Sequence, residues 1–416
     1  MWRVWPAVRS AAEGERAVNS GRRLVPAGLA MIAVTYGLAR FAYGLFLPEL
    51  REAFDLDASV LGLIGAGSYA GYCLAIVVSL VFTARAGARF MVVAAGTVAV
   101  LGMALVAGAP GAWVLAVGVL VAGLSSGLVS PPMGEAVARA VDPGKQDRAN
   151  ALINSGTSVG VVLSGPAALL AADGWRLAWA AFAAIGLAVL AWNAKVMPGR
   201  GVPSPVAKAG AKDVPRLSLR WLLGPRSAPL FVAATGMGFA SAAYWTFSRE
   251  FVVRVGGLDQ TGSTVFWVVI GVSGIAGGAA GDLVSRLGLE KALRGSLLVM
   301  AAAIGLLGAA PASAPAVFAS AALFGASYIA LSGVILVWSV SVFRDRPSAG
   351  LGAAFFLLAA GQALGSPLSG TLAGATGLTI TFWIFACVAL ATTLISPHPE
   401  DDQATPEPSG SRCGGA

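Results

Sequence analysis

Charge is what this sequence has least of. Only 12% of its 416 residues are Asp, Glu, Lys or Arg, against about 25% in an average soluble domain, too few to coat a water-soluble fold of this length. Histidine occurs once, as His398 in a polar tail. Haem, zinc and Ser-His-Asp chemistry therefore lack their usual parts, and neither an enzyme nor a cofactor is expected. The three cysteines, Cys73, Cys387 and Cys413, lie far apart without CxxC spacing, which excludes a disulfide framework and a thiolate metal site. Cys413 is fourth from the C-terminus, but Gly414 and Gly415 are not the aliphatic pair of a prenylation box. No phosphate loop of the GxxxxGKS or GxxxxGKT form occurs, so ATP does not drive this protein.

Apolar residues make up 57% of the chain. They gather in runs of about 20, long enough to cross a hydrocarbon core of roughly 30 Å. Twelve runs are expected as an all-α membrane protein: 24–48, 59–82, 90–109, 113–133, 150–172, 177–197, 228–252, 262–281, 292–310, 315–341, 351–373 and 378–396. The long break at 198–227 is rich in Gly, Pro, Lys and Arg and reads as a linker between two six-helix halves, 24–197 and 228–396. Tails of 1–23 and 397–416 complete the chain.

Lys and Arg are retained on the cytoplasmic side of a membrane. With the N-terminus inside, 23 of the 28 fall in inner segments, 4 in outer loops, and Arg40 lies within the first run. Both termini are expected in the cytoplasm of a bacterial cell, with the chain passing its inner membrane many times. Arg22 and Arg23 faintly suggest a twin-arginine signal, but no small-residue cleavage site follows and the run is too long for a signal. They read as anchoring positives.

The halves repeat each other. At an offset of 201, GLARFAYGLFLPEL (37–50) lies over GFASAAYWTFSREF (238–251), matching Gly37 with Gly238, Ala39 with Ala240, Ala42 with Ala243, Tyr43 with Tyr244, Phe46 with Phe247 and Glu49 with Glu250. The same offset brings Arg85 and Gly87 over Arg286 and Gly288. Gly156, Gly160 and Gly165 reappear in spacing as Gly361, Gly365 and Gly370. Such glycines serve either simple helix packing or gating.

Two parallel six-helix repeats joined by a long inner loop resemble the major facilitator superfamily of transporters. Gly278, Gly281, Asp282, Arg286 and Gly288 are similar to its loop signature between helices 8 and 9. The first-half copy at 83–89 keeps Arg85, Gly87 and Arg89 but lacks the Asp. Gly165-Pro166 resembles the family's antiporter motif without the glycine pair that should follow, and Asp173-Gly174-Trp175-Arg176 resembles its helix 5 to 6 turn. The opening run YGLARFAYGLFLPELREAFDL is similar to the bacterial YbfB-like branch, with some likeness to cyanate-type carriers. The resemblance implies a small-molecule substrate, a lipid bilayer as surroundings, no nucleic acid and a monomer. It also implies a latch in which Asp282 and Arg286, with Gly278, Gly288, Arg85 and Gly87, gate the inner side. The bland alternative is an ion pair that only caps helices.

Arg40 carries the most information, because a guanidinium inside a span costs roughly 2.5–3.5 kcal/mol by insertion scales. Tyr36, Arg40 and Tyr43 follow at i, i+4 and i+7, one face of a regular helix. The resemblance puts helices 1, 4, 7 and 10 around a central cavity. Two readings stand: Arg40 snorkels or bonds carbonyls for structure, or its two-pronged donor set grips an anionic group. By the internal repeat, Ser241, Tyr244 and Ser248 would face the same cavity, and Ser125, Ser126, Asn154, Ser327, Tyr328 and Gln362 complete the candidates for substrate binding. No acid lies at mid-membrane depth, so Glu49 and Glu250 are the candidates for proton coupling, with solvated loop acids as the bland reading. The expected function is a secondary transporter of a small organic solute, with an organic anion favoured by Arg40, by alternating access. A proton-linked multidrug exporter, a transporter-shaped receptor without turnover and a passive channel are the alternatives.

Overall fold

A computed structural model describes residues 23–170, 174–198, 224–278, 280–344 and 347–398. Lipid offers no hydrogen bonds, so each span must satisfy its own backbone, and helices follow from the apolar runs. The first half comprises α1 (Arg23–Leu45), α2 (Ala58–Ala86), α3 (Ala88–Ala107), α4 (Ala112–Ala140), α5 (Arg148–Leu169) and α6 (Trp175–Val196). The second comprises α7 (Ser227–Arg254), α8 (Gln260–Gly277), α9 (Leu289–Ala309), α10 (Ala314–Val342), α11 (Pro347–Thr376) and α12 (Leu378–Thr392). A short helix, Leu47–Phe54, follows α1, and another, Ala280–Leu287, is bent 55° away from α8.

The packing repeats as the sequence does. In the first half α1 packs on α5, α2 on α4, and α3 on both α4 and α6; in the second, α7 packs on α11, α8 on α10, and α9 on both α10 and α12. Across the halves α2 meets α11 and α8 meets α5, which exchange under the same repeat. Small residues permit these approaches. A Cβ on Gly160 would strike the α1 backbone at Ala33 and Gly37, while one on Gly165 would strike Val268 of α8. Their counterparts behave alike: Gly361 abuts Thr235 of α7, and Gly370 abuts Ala58 and Gly62 of α2.

Gly87 and Gly288 end the matching loops with φ of 86° and 81° and ψ of 152° and 161°. That backbone region is open essentially to glycine alone, which explains why both copies of the loop carry it. Several ends differ from expectation. Residues α1 was expected to keep to 48 belong to the separate helix Leu47–Phe54. The span expected at 262–281 divides at Gly278, and α4 runs seven residues past the expected 133, to Ala140, despite Pro131 and Pro132 inside it. Most of both tails and of the linker, with Asp173 and Cys413, lie outside the described residues.

Candidate functional site

α1 is not a regular helix where it matters. Ala33–Phe41 is π-helical, a form that adds residues per turn and recurs at functional sites. This segment holds Arg40, which is 5% exposed. Its Nη2 donates to Gln362 Oε1 at 2.7 Å. Its guanidinium carbon lies 4.4 Å from the ring centre of Tyr72, 5.2 Å from those of Tyr69 and Phe41, and 5.7 Å from that of Tyr36. Ring faces attract a cation by as much as about 2 kcal/mol when water is excluded, which offsets part of the burial penalty. No carboxylate among the described residues pairs with Arg40, and its Nε has no hydrogen-bond partner.

From Arg40 a polar chain crosses between the halves. Gln362 on α11 accepts from Arg40 and donates through Nε2 to the Tyr328 hydroxyl of α10 at 3.2 Å and to Ser241 Oγ of α7 at 3.4 Å. Ser241 Oγ in turn donates to the Gly238 carbonyl at 2.9 Å. Tyr36 shares a 2.7 Å hydrogen bond with Ser130 Oγ of α4. Arg40, Tyr36, Ser241, Tyr328 and Gln362 thus form one cluster.

The other candidates lie elsewhere. Tyr43 turns to α2, donating to the Leu61 carbonyl at 2.8 Å; the π-helical turn breaks the 3.6-residue phase that put it on Arg40's face. Tyr244 is buried within the second half, bonded to Ser320 Oγ at 2.8 Å and stacked on Phe324 at 3.7 Å. Ser248 is buried with no partner for its hydroxyl, and Asn154 is exposed. Four contributors escaped the sequence reading: Tyr69 and Tyr72 of α2, Phe41, and Trp245, which stacks on Phe41 at 4.2 Å. The signal for the first two was their spacing of three on a helix expected near the first.

Asp282 and Arg286, expected in the inner latch, lie on the surface. Both stand on the helix Ala280–Leu287, which packs on α9 and α10 of its own half, and no ion pair between them is among those described. Gly278 ends α8, and Arg85 is exposed beside Gly87.

The halves are tied instead at the opposite end. Glu49 binds Arg249 of α7 through both carboxylate oxygens, at 2.6 and 2.7 Å from Nη1. Arg249, 2% exposed, also donates to the Leu45 carbonyl and, through Nε, to Ser263 Oγ at 3.3 Å. Glu250 is fully buried, with one oxygen 2.7 Å from Arg51 Nε and 3.2 Å from Arg254 Nη1. The solvated-acid reading therefore fails for Glu250. Arg249 and Arg51 were missed, although the charge pairs in PELRE and SREF marked them. Among the described residues no group of His, Cys, Asp and Glu could hold a metal ion.

Three comparisons bear on this arrangement. The sequence profile described as Major Facilitator Superfamily matches residues 29–359. The chain is 28% identical over 346 residues to "Transcription regulatory protein OpdE" of Pseudomonas aeruginosa, spanning 80% of this chain and 84% of that protein. It is 26% identical over 269 residues to "Hexuronate transporter" of Bacillus subtilis, spanning 63% and 64% respectively. Among solved structures it resembles the nucleoside transporter NupG, with a TM-score of 0.72 at 13% identity over 90% of this chain and 98% of that one. It also resembles a bacterial homologue of the human lysosomal transporter Spinster in an inward-facing and occupied conformation, with a TM-score of 0.71 at 16% identity over 93% and 98%.

Proposed function

The chain belongs to the Major Facilitator Superfamily, and on that premise we propose that it is a secondary transporter of a small organic anion, bound at Arg40 between the halves. The observation that carries this reading is a buried guanidinium that, among the described residues, has a free Nε and no acidic partner and is held by one amide oxygen and four ring faces. Proteins keep an unpaired charge at mid-span mainly where it meets a substrate, an ion pathway or a counter-ion. A carboxylate brings both the missing charge and two acceptors that match the guanidinium fork. The family fold supports transport, and a relative named for hexuronate, itself a carboxylate, supports the charge sign.

Alternating access needs contacts that form at one end and release at the other. The crossed pairs Glu49–Arg249 and Arg51–Glu250 serve as the outer gate, taking the lysine- and arginine-rich side as cytoplasmic. Asp282 and Arg286 serve the inner gate in the opposite state. The membrane is the bacterial inner membrane, and both termini are cytoplasmic.

The test is to measure solute uptake in proteoliposomes together with ligand affinity and melting temperature for wild type, Arg40→Lys and Arg40→Ala. The expectation is a tenfold or greater loss of affinity in Arg40→Lys, about 1.4 kcal/mol, with melting little changed. Intact affinity in an Arg40→Ala protein that melts earlier would reduce Arg40 to a structural part.

A second reading rests on the relative named a transcription regulatory protein: the chain binds its anion as a sensor without moving it. Ligand binding without uptake or counterflow would select that reading.

A further inference from the structure

The region around Arg40 is dominated by rings and by donors, and this constrains what the anion looks like away from its charge. Phe41 of the first half stacks on Trp245 of the second, and Trp245 meets Tyr328 edge-on at 5.2 Å and Trp267 at 5.8 Å. Tyr328 also stands edge-on to Phe41, at 6.4 Å. The cluster is continuous with the cation, since the guanidinium lies against Phe41 and reaches Tyr328 through Gln362.

Its hydrogen-bonding balance is one-sided. Arg40 Nε and Trp267 Nε1 are buried donors without partners. The Gln362 oxygen already accepts from Arg40, and the Tyr328 hydroxyl already accepts from Gln362. A polyhydroxylated ligand would bring several more donors to a place short of acceptors, and each one left unmade costs desolvation energy. An acceptor-bearing, donor-poor ligand has the opposite effect.

Resting on the anion reading above, we infer that the solute is a monocarboxylate with a flat apolar or aromatic body and few hydroxyl groups. Its carboxylate meets Arg40, and its body lies against Phe41 and Trp245. One cation without an acid sets the single negative charge. The Phe41–Trp245 stack is a contact between the halves, along the line that must part in alternating access. A ring inserted there preserves stacking on both faces, whereas a sugar acid would replace ring contacts with hydroxyls.

The experiment uses the purified full chain with four probes: benzoate, cyclohexanecarboxylate, glucuronate and the neutral benzamide, read by thermal shift and by competition for uptake. The expected result is that benzoate and cyclohexanecarboxylate bind at least about tenfold more tightly than glucuronate, while benzamide gives no shift. Trp245→Leu should lose about tenfold in benzoate affinity with glucuronate little changed, and Trp245→Phe should retain benzoate. Glucuronate binding as tightly as benzoate, and still dependent on Arg40, would overturn the apolar body and leave the anion site standing. Binding of no carboxylate, or binding indifferent to Arg40→Lys, would overturn both. Because the probe ranking is measured on the wild type, the test of the apolar body does not depend on a variant folding.

Discussion

Glu49 and Glu250 occupy matching places in the internal repeat, yet each is bound by an arginine of the other half: Glu49 by Arg249 at 2.6 Å and Glu250 by Arg51 at 2.7 Å. The two pairs cross. Each half thus supplies one acid and one base to the same closure, and Glu250 has in addition Arg254 of its own helix at 3.2 Å.

Glu49→Gln and Arg249→Gln should each loosen this end of the bundle. Removing Glu49 from this pair costs about 3–5 kcal/mol, because Arg249 is left as a buried cation, whereas Arg249→Gln leaves the partly exposed Glu49 and costs less. The expected reading is a fall in melting temperature, with a cysteine placed at Ser263 more reactive to an external maleimide. The charge swap Glu49→Arg with Arg249→Glu should restore most of both. Loss in the swap equal to that in the single variants would show that packing, not the pair, holds the closure.

Gln362→Glu puts an acid 2.7 Å from the Arg40 guanidinium. It should supply the missing counter-charge, so melting temperature rises while anion affinity falls by tenfold or more, roughly 1.4 kcal/mol. An anion affinity unchanged by this substitution would place the binding site away from Arg40.

Gly238 and Gly295 should respond oppositely to alanine. A Cβ at Gly238 would drive into the Leu358 backbone of α11, whereas one at Gly295 meets nothing within 4 Å. Gly238→Ala is expected to destabilise by about 1–3 kcal/mol, and Gly295→Ala to be neutral or to stabilise by up to about 1 kcal/mol. Melting curves of the two variants under one detergent condition decide it.

Sidedness follows from exposure at the two ends. Single cysteines in place of Glu52 and Asp282, both exposed, should label differently in a background lacking Cys73, Cys387 and Cys413. The first should react with an impermeant maleimide in intact cells, and the second only after the membrane is opened. The reverse pattern would invert the orientation drawn from the charge count.

By itself the sequence determined the class of fold, because lipid forces every span to satisfy its own backbone and so writes each helix locally as an apolar run. It also determined the repeat, since close helix approach demands small residues at set places, as at Gly160 and Gly361, and a left-handed turn demands Gly87 and Gly288. Arg40 stood out for the same local reason: its charge is conspicuous where no water reaches. What its neighbours are, only the tertiary structure decided. A helical wheel assumes 3.6 residues per turn, and the π-helical stretch Ala33–Phe41 cancels that assumption, turning Tyr43 away and leaving Arg40 among Tyr69, Tyr72 and Gln362. The partners of Glu49 and Glu250 lie about two hundred residues off in the chain. An apolar pattern says that a face is buried, but the packing of one half on the other chooses which charge or ring it meets.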